Sequence, residues 1–160
     1  MNDSHFFDTN ILAYAFDRSD HVRWKACSRL VKEGFQQEGV SVVSNQVLAE
    51  LFVVLTGKVA KPVSKDRAGR IVKSFVDSPS WNKVNYDAET VSQVSAYSEK
   101  MPNHFWDLLI AETMKAAGVR RIYTENVRDF RGIPWIEPIN PMAIESREAK
   151  EKERRGRGAK

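Results

Sequence analysis

Cysteine is nearly absent from this chain. Cys27 is the only one in 160 residues, so no intramolecular disulfide can form. No C-x-x-C pair or histidine cluster offers a framework for structural zinc. Histidine is scarce as well: His5, His21 and His104 lack partners at any recognisable spacing, and no role is assigned to them. No apolar run approaches the roughly 20 residues that cross a bilayer. The opening Met1-Asn2-Asp3-Ser4-His5 has neither the basic nor the apolar region of a secretory signal. A soluble, cytoplasmic protein without a membrane partner is therefore expected. A strong charge of one sign is also missing where it would count. The formal charge is +4, but residues 145–160 hold seven basic and four acidic side chains, leaving 18 against 17 in the first 144. Global charge alone gives no case for nucleic acid.

What the chain does have is alternation of short apolar runs with helical periodicity. Segments 4–7, 40–43, 81–86, 119–124 and 134–139 read as strands, the last bounded by Pro134 and Pro138 as an edge strand should be. Asp8-Thr9-Asn10 reads as a polar turn closing the first strand. Between the strands lie amphipathic helices. One starts after Asp20 with Trp24, Cys27, Val31 and Phe35 inward and closes near Gly34 to Gly39. The next is capped by Ser44 or Asn45, with Val47, Leu48, Leu51, Val54 and Leu55 inward. Ser64 caps a third and Asp87 a fourth that runs through Val91, Val94 and Met101. Asn103 caps a fifth, over 104–117, which Gly118 ends. Strands alternating with helices predict an α/β fold, a three-layer α/β/α sandwich around a parallel sheet. At this length one domain is expected, spanning 1–144, followed by a charged tail, 145–160, too poor in large apolar residues to bury a core and expected to be frayed or disordered.

Onto this scheme fall the acids Asp8, Glu50, Asp107 and the pair Glu125 and Asp129, each where a strand should end or a helix begin. In open α/β sheets those ends converge on one crevice. Two like charges about 4 Å apart repel by roughly 1 kcal/mol even at the dielectric of water, so carboxylates gathered from separate segments need compensation. A hard divalent cation such as Mg²⁺ or Mn²⁺ supplies it, and the chemistry such a site supports is metal-assisted hydrolysis of a phosphodiester. Taken singly, Asp107 would be an ordinary helix-start charge. Glu50 is harder to explain that way, because it adjoins the buried stripe at Val47 and Leu51.

The surrounding residues carry a resemblance. Asp8-Thr9-Asn10-Ile11-Leu12 with Tyr14, Asn45-Gln46-Val47-Leu48-Ala49-Glu50, Phe105-Trp106-Asp107-Leu108-Leu109-Ile110-Ala111 and Tyr123-Thr124-Glu125-Asn126-Val127-Arg128-Asp129-Phe130 follow one another in the order and spacing of PIN-domain ribonucleases. They are most similar to the toxins of VapBC-type toxin-antitoxin pairs, over about residues 3–140. The resemblance implies a Mg²⁺- or Mn²⁺-dependent endoribonuclease with RNA as substrate, a cognate antitoxin and a homodimeric state. It implies that Asp8, Glu50 and Asp107 bind metal and that Thr9, Asn10, Thr124 and Asn126 support them. The fourth acid is either Glu125, directly after the Thr, or Asp129 of the Asn-x-x-Asp-Phe segment; both are kept, with the lean toward Asp129.

Lys58, Lys61, Lys65, Arg67, Arg70 and Lys73 form a basic stretch that is either a solvated helix face or a counter-surface for RNA phosphates. The tryptophans at 24, 81, 106 and 135 are expected in the core. A catalytically silent PIN-fold module that binds RNA or protein is the competing function. A haloacid-dehalogenase-like phosphatase is disfavoured, because its second Asp, two residues after the first, is Asn10 here.

Overall fold

The computed structural model describes residues 4–144 together with 146, 151, 154 and 155. Five strands form one sheet, β1 (His5–Phe7), β2 (Ser41–Ser44), β3 (Trp81–Val84), β4 (Arg121–Tyr123) and β5 (Glu137–Ile139), in the order β3-β2-β1-β4-β5. Every pairing is parallel, with Phe6 opposite Val42 on one side and Ile122 on the other. Parallel sheets need cover on both faces. Accordingly all four residues of β2 are buried, and helices α1 (Thr9–Phe16), α2 (His21–Gln36), α3 (Asn45–Gly57), α4 (Lys65–Asp77), α5 (Ala88–Tyr97) and α6 (Phe105–Ala116) complete the expected α/β/α sandwich. β5 pairs only with β4, so its Pro138 lies on an edge strand as the sequence predicts.

Local chemistry explains most boundaries. Asp20, Ser44, Ser64 and Asp87 each accept a hydrogen bond from a first-turn amide of the helix they cap, worth about 1 kcal/mol apiece. Gly39 and Gly118 take positive φ, the conformation in which a side chain is strained. Gly34 does not end α2. It lies within the helix where the backbone approaches the sheet, and a Cβ there would sit 2.7 Å from both Ser41 Oγ and Trp81 Cζ2. Trp81 fills the space so created, packed edge-on to Phe7 and Phe75 at 4.8 Å.

Three boundaries differ from expectation. Asp8-Thr9-Asn10 is not a turn: Asp8 caps α1, whose Ile11, Leu12, Ala13 and Ala15 are all buried. A short helix surrounded by neighbours lacks the one-sided periodicity by which helices are recognised. His104, rather than Asn103, precedes α6, because the Asn103 amide is drawn away to donate to the carbonyls of Asp129 (2.6 Å) and Arg131 (3.3 Å). Finally, α5 stops at Tyr97 and a 3₁₀ turn over Ser98–Lys100 leads to Met101. The tail expected to fray lies mostly outside the described residues. Ser146, Glu151, Arg154 and Arg155 have helical backbone and are exposed, and residues 141–144 form a helical turn after β5.

Candidate active site

The strand order places a topological switch point at the β1/β4 boundary: the chain winds outward from β1 to β2 and β3, then returns to the other side of β1 with β4 and β5. Ligands of open α/β sheets bind at the carboxyl ends of strands at such a point. Asp8 directly follows β1 and Thr124 directly follows β4, and the two side chains meet there. Thr124 Oγ1 donates to Asp8 Oδ2 at 2.6 Å, Asn10 Nδ2 donates to the same oxygen at 2.8 Å, and the Thr9 amide donates to Oδ1 at 2.7 Å. Asp8 is buried, 8% exposed, and Thr124 fully so. Burial pushes the Asp8 carboxyl above its usual range and the charge of Glu50 adds to this, while the bonds from Thr124, Thr9 and Asn10 oppose it. A carboxylate has about four acceptor positions, so the three donors hold Asp8 in one orientation and leave room for a further contact.

Glu50 comes from the second turn of α3. Its Oε2 accepts from Thr9 Oγ1 at 2.8 Å and its Oε1 from Gln46 Nε2 at 2.9 Å. Thr9 therefore bridges the Asp8 and Glu50 segments. Asp107, in the first turn of α6, faces both, and its carboxyl is pushed up to about 6 by burial and by the charges of Asp129, Asp8 and Glu50, with His104 acting in the opposite direction. None of Asp8, Glu50, Asp107 or Asp129 forms an ion pair with a Lys or Arg among the described residues.

Glu125 is placed differently. Arg23 grips its Oε1 through Nε at 2.9 Å and a terminal nitrogen at 2.6 Å, Tyr14 donates its hydroxyl to Oε2, and the Arg23 guanidinium lies over the Tyr14 ring at 4.9 Å. Burial and this carboxylate together push the Tyr14 hydroxyl up to about 12. Asp129, on the 3₁₀ turn Val127–Phe130, is the leading charge felt by Asp107. Asn103 anchors this turn by its bonds to the backbone of Asp129 and Arg131. Asn126 lies between the two acids, and its backbone N–H donates to Thr124 Oγ1 at 3.0 Å.

An open cleft of about 790 Å³ lies over the site, with Asp8, Thr9, Asn10, Glu50, Asp107 and Asn126 in its lining. Helix periodicity builds the walls. Gln46, Glu50 and Val54 come from successive turns of α3, Asn10 and Tyr14 from α1 with Asp17 just past its end, and Trp106 and Ile110 from α6. Asp129 stands in an adjoining depression of about 320 Å³ that shares Asn126 with the cleft. Of the basic stretch, Lys58 alone reaches the cleft wall. Arg70 pairs with Asp66, Lys73 pairs with Asp77 at 2.8 Å, and Lys61, Lys65 and Arg67 are exposed and outside its lining, although the charge of Lys61 acts on Asp17 at the cleft edge. Gln46 is not foreseen from the sequence, although its position one turn before Glu50 is a legible signal. Tyr14 and Arg23 are likewise unforeseen as partners of Glu125, a contact spanning 102 residues for Arg23 that no local pattern announces.

A PIN domain family model matches residues 5–135. The chain belongs to the PIN domain family. No curated protein sequence matches it. Among solved structures, VapC20 of Mycobacterium tuberculosis, a sarcin-ricin-loop-cleaving toxin, superposes with a TM-score of 0.64 at 20% identity, covering 84% of this chain and 98% of that one. A toxin-antitoxin complex from Klebsiella pneumoniae gives 0.56 at 19% identity over 86% and 98%. DNA-bound VapBC from Salmonella typhimurium gives 0.56 at 21% over 85% and 96%. These likenesses establish a shared PIN fold. Among the described residues no helix is long and apolar enough to cross a membrane.

Proposed function

We propose that this chain is a Mg²⁺- or Mn²⁺-dependent endoribonuclease that hydrolyses RNA phosphodiesters, acting as the toxin of a type II toxin-antitoxin pair. The observation that carries this is the gathering of Asp8, Glu50, Asp107 and Asp129 at the sheet's switch point with no Lys or Arg among the described residues paired to any of them, Asp107 being pushed up to about 6 by burial and by the charges of the others. Hard oxygen donors of this kind suit Mg²⁺ and Mn²⁺. Among the described residues no group of three or more His, Cys, Asp or Glu side chains stands close enough together to hold a metal ion by itself. A Mg²⁺ ion here would take one or two carboxylates directly and reach the others through its waters. Gln46 gives an independent sign of fit: its Oε1 is buried beside Glu50 in the cleft and has no donor, as an acceptor awaiting water from a hydrated cation would be.

In this proposal Asp8, Glu50 and Asp107 hold the ion, directly or through its waters, with Asp129 as the fourth acid. Bound there, the ion would lower the pKa of water and offset charge on the phosphoryl oxygens. Thr124 and Asn10 fix the Asp8 carboxylate, Thr9 and Gln46 fix Glu50, and Lys58 meets substrate phosphate at the cleft wall. The toxin-antitoxin complexes among the structural neighbours support an antitoxin partner, and the family resemblance supports a homodimer. A small upstream reading frame encoding a DNA-binding antitoxin is expected.

Sequencing RNA 5′ ends after induction of the wild type, and of Asp107→Asn alongside it, tests the activity. Discrete new ends with the wild type and none with the variant are expected; wild-type cleavage by Asp107→Asn would sink the assignment. The competing reading, a silent module that binds RNA or protein, draws on the absence of such a group among the described residues. It predicts salt-sensitive RNA binding without cleavage in either Mg²⁺ or Mn²⁺.

A further inference from the structure

The four tryptophans have different fates. Trp81 is buried. Trp135 donates its indole N–H to the Ala111 carbonyl at 3.0 Å and carries the Lys115 ammonium 4.2 Å from its ring centroid. Trp24 lies under Arg18 and beside His21. Trp106 is 59% exposed, contrary to the core position expected for it, and its ring neighbour is the adjacent Phe105. The core does not require it there, since the first turn of α6 is anchored by Leu108, Leu109 and Ile110.

Its location gives the exposure meaning. Trp106 immediately precedes Asp107, lines the same cleft as Asp8 and Glu50, and shares its wall with Ile110 one turn along. Tyr86, partly buried, also lines this cleft. A flat apolar ring next to a carboxylate cluster suits a ligand with an anionic part and a planar part joined by a short link, which describes a nucleotide. Any strand that brings a phosphate to Asp107 brings the attached base within reach of the neighbouring residue. Aromatic rings bind bases this way with little regard to sequence, but only when the base is unstacked from its own strand.

We propose that Trp106 is a base-stacking platform beside the scissile phosphate, the residue that holds the base next to the cut. This rests on the endoribonuclease reading and adds to it a substrate-positioning residue, one that can act only on a base unstacked from its own strand. The occupant is RNA, not a protein segment, because the ring lies within the acidic cleft and not on a flat outer face.

The test uses the full chain in an Asp8→Asn background, so that bound RNA survives. A randomised single-stranded oligoribonucleotide pool and a perfect RNA duplex, both fluorescently labelled, are titrated in Mg²⁺, and binding is followed by anisotropy. Adding Trp106→Ala should weaken single-strand binding by roughly five- to a hundredfold, the range for loss of one stacked base. Adding Trp106→Phe should recover most of the loss, and the duplex should bind weakly to all variants. Melting temperatures should match throughout, since the ring is largely outside the core. Equal affinity of Trp106→Ala and its parent overturns the platform while leaving the nuclease proposal intact. Equal loss with Trp106→Phe overturns stacking as the cause, and duplex binding as tight as single-strand binding overturns the need for an unstacked base. Absence of both RNA binding and cleavage by the unmutated protein overturns the nuclease proposal together with this one, and would assign Trp106 to a protein contact instead.

Discussion

Two acids at the end of the same strand have opposite surroundings. Glu125 is held by Arg23 and Tyr14, with its charge matched and its oxygens occupied. Asp129, four residues on, pairs with no Lys or Arg among the described residues and instead raises the pKa of Asp107. The first arrangement is how a fold uses a carboxylate to tie a loop to a helix. The second stores repulsion that a proton or a bound cation relieves. Charge compensation, more than sequence position, sets Glu125 apart from the other acids, and it supports the lean toward Asp129 as the proposed fourth ligand.

The contrast can be broken at either end. The largest effect is expected on the uncompensated side: Asp107→Asn, measured by single-turnover cleavage in Mn²⁺, should lose at least about a thousandfold, consistent with the several kcal/mol a metal contributes to such a reaction, with the far-UV spectrum unchanged. Next comes Gln46→Ala, which frees Glu50 to rotate and removes the donorless acceptor. A loss of roughly 10- to 100-fold in Mn²⁺ affinity by calorimetry is expected, as for other groups that orient metal ligands, and an unchanged affinity would remove Gln46 from the site.

The third effect is on pH dependence. The Asp107 carboxyl is pushed up to about 6 in the folded protein from an ordinary 3.8. Its contribution to stability is thus fully present below about 4 and is lost as pH rises through about 6, because the unfolded chain gives up this proton first. Without metal, Asp107→Asn should melt above the wild type at pH 7 and close to it at pH 4, and Mg²⁺ should narrow the gap at pH 7. A gap that does not change with pH would show that Asp107 is not under repulsion. The smallest effect is expected on the compensated side. Glu125→Gln should cost about 1 kcal/mol or less, since Arg23 is substantially exposed and such pairs are worth little. That is a shift of roughly 2–4 °C in a chain of this size, with cleavage kept within about threefold, since Glu125 has no part in the metal site proposed here. Loss of cleavage in Glu125→Gln but not in Asp129→Asn would reverse the assignment.

Much of this molecule is legible in one dimension. The strand bounds fall within two residues of their expected places except that β5 begins three residues late, and Asp20, Ser44, Ser64 and Asp87 cap the helices assigned to them, because caps and periodicity are local effects. Helix α1 is not legible, since burial on several sides erases its amphipathic stripe. Nor is the role of Asn103, whose partners lie 26 and 28 residues away. The basic stretch looks like one surface in the sequence but separates in space: two of its members pair with acids a turn away on α4, and one reaches the cleft. Trp106 is expected inside on composition, yet the helix phase set by Leu108, Leu109 and Ile110 turns it outward.

The sequence by itself determined the α/β alternation, the placing of acids at strand and helix ends, and the family, because these depend on residue type and spacing along the chain. Tertiary structure alone decided which of those acids share a cleft. Strand order is a long-range property: placing β4 beside β1 puts Thr124 on Asp8 across 116 residues and creates the switch point. The same packing brings Arg23 to Glu125 and brings no Lys or Arg among the described residues to Asp129, so the charge balance that sets these two acids apart arises only when the chain is folded.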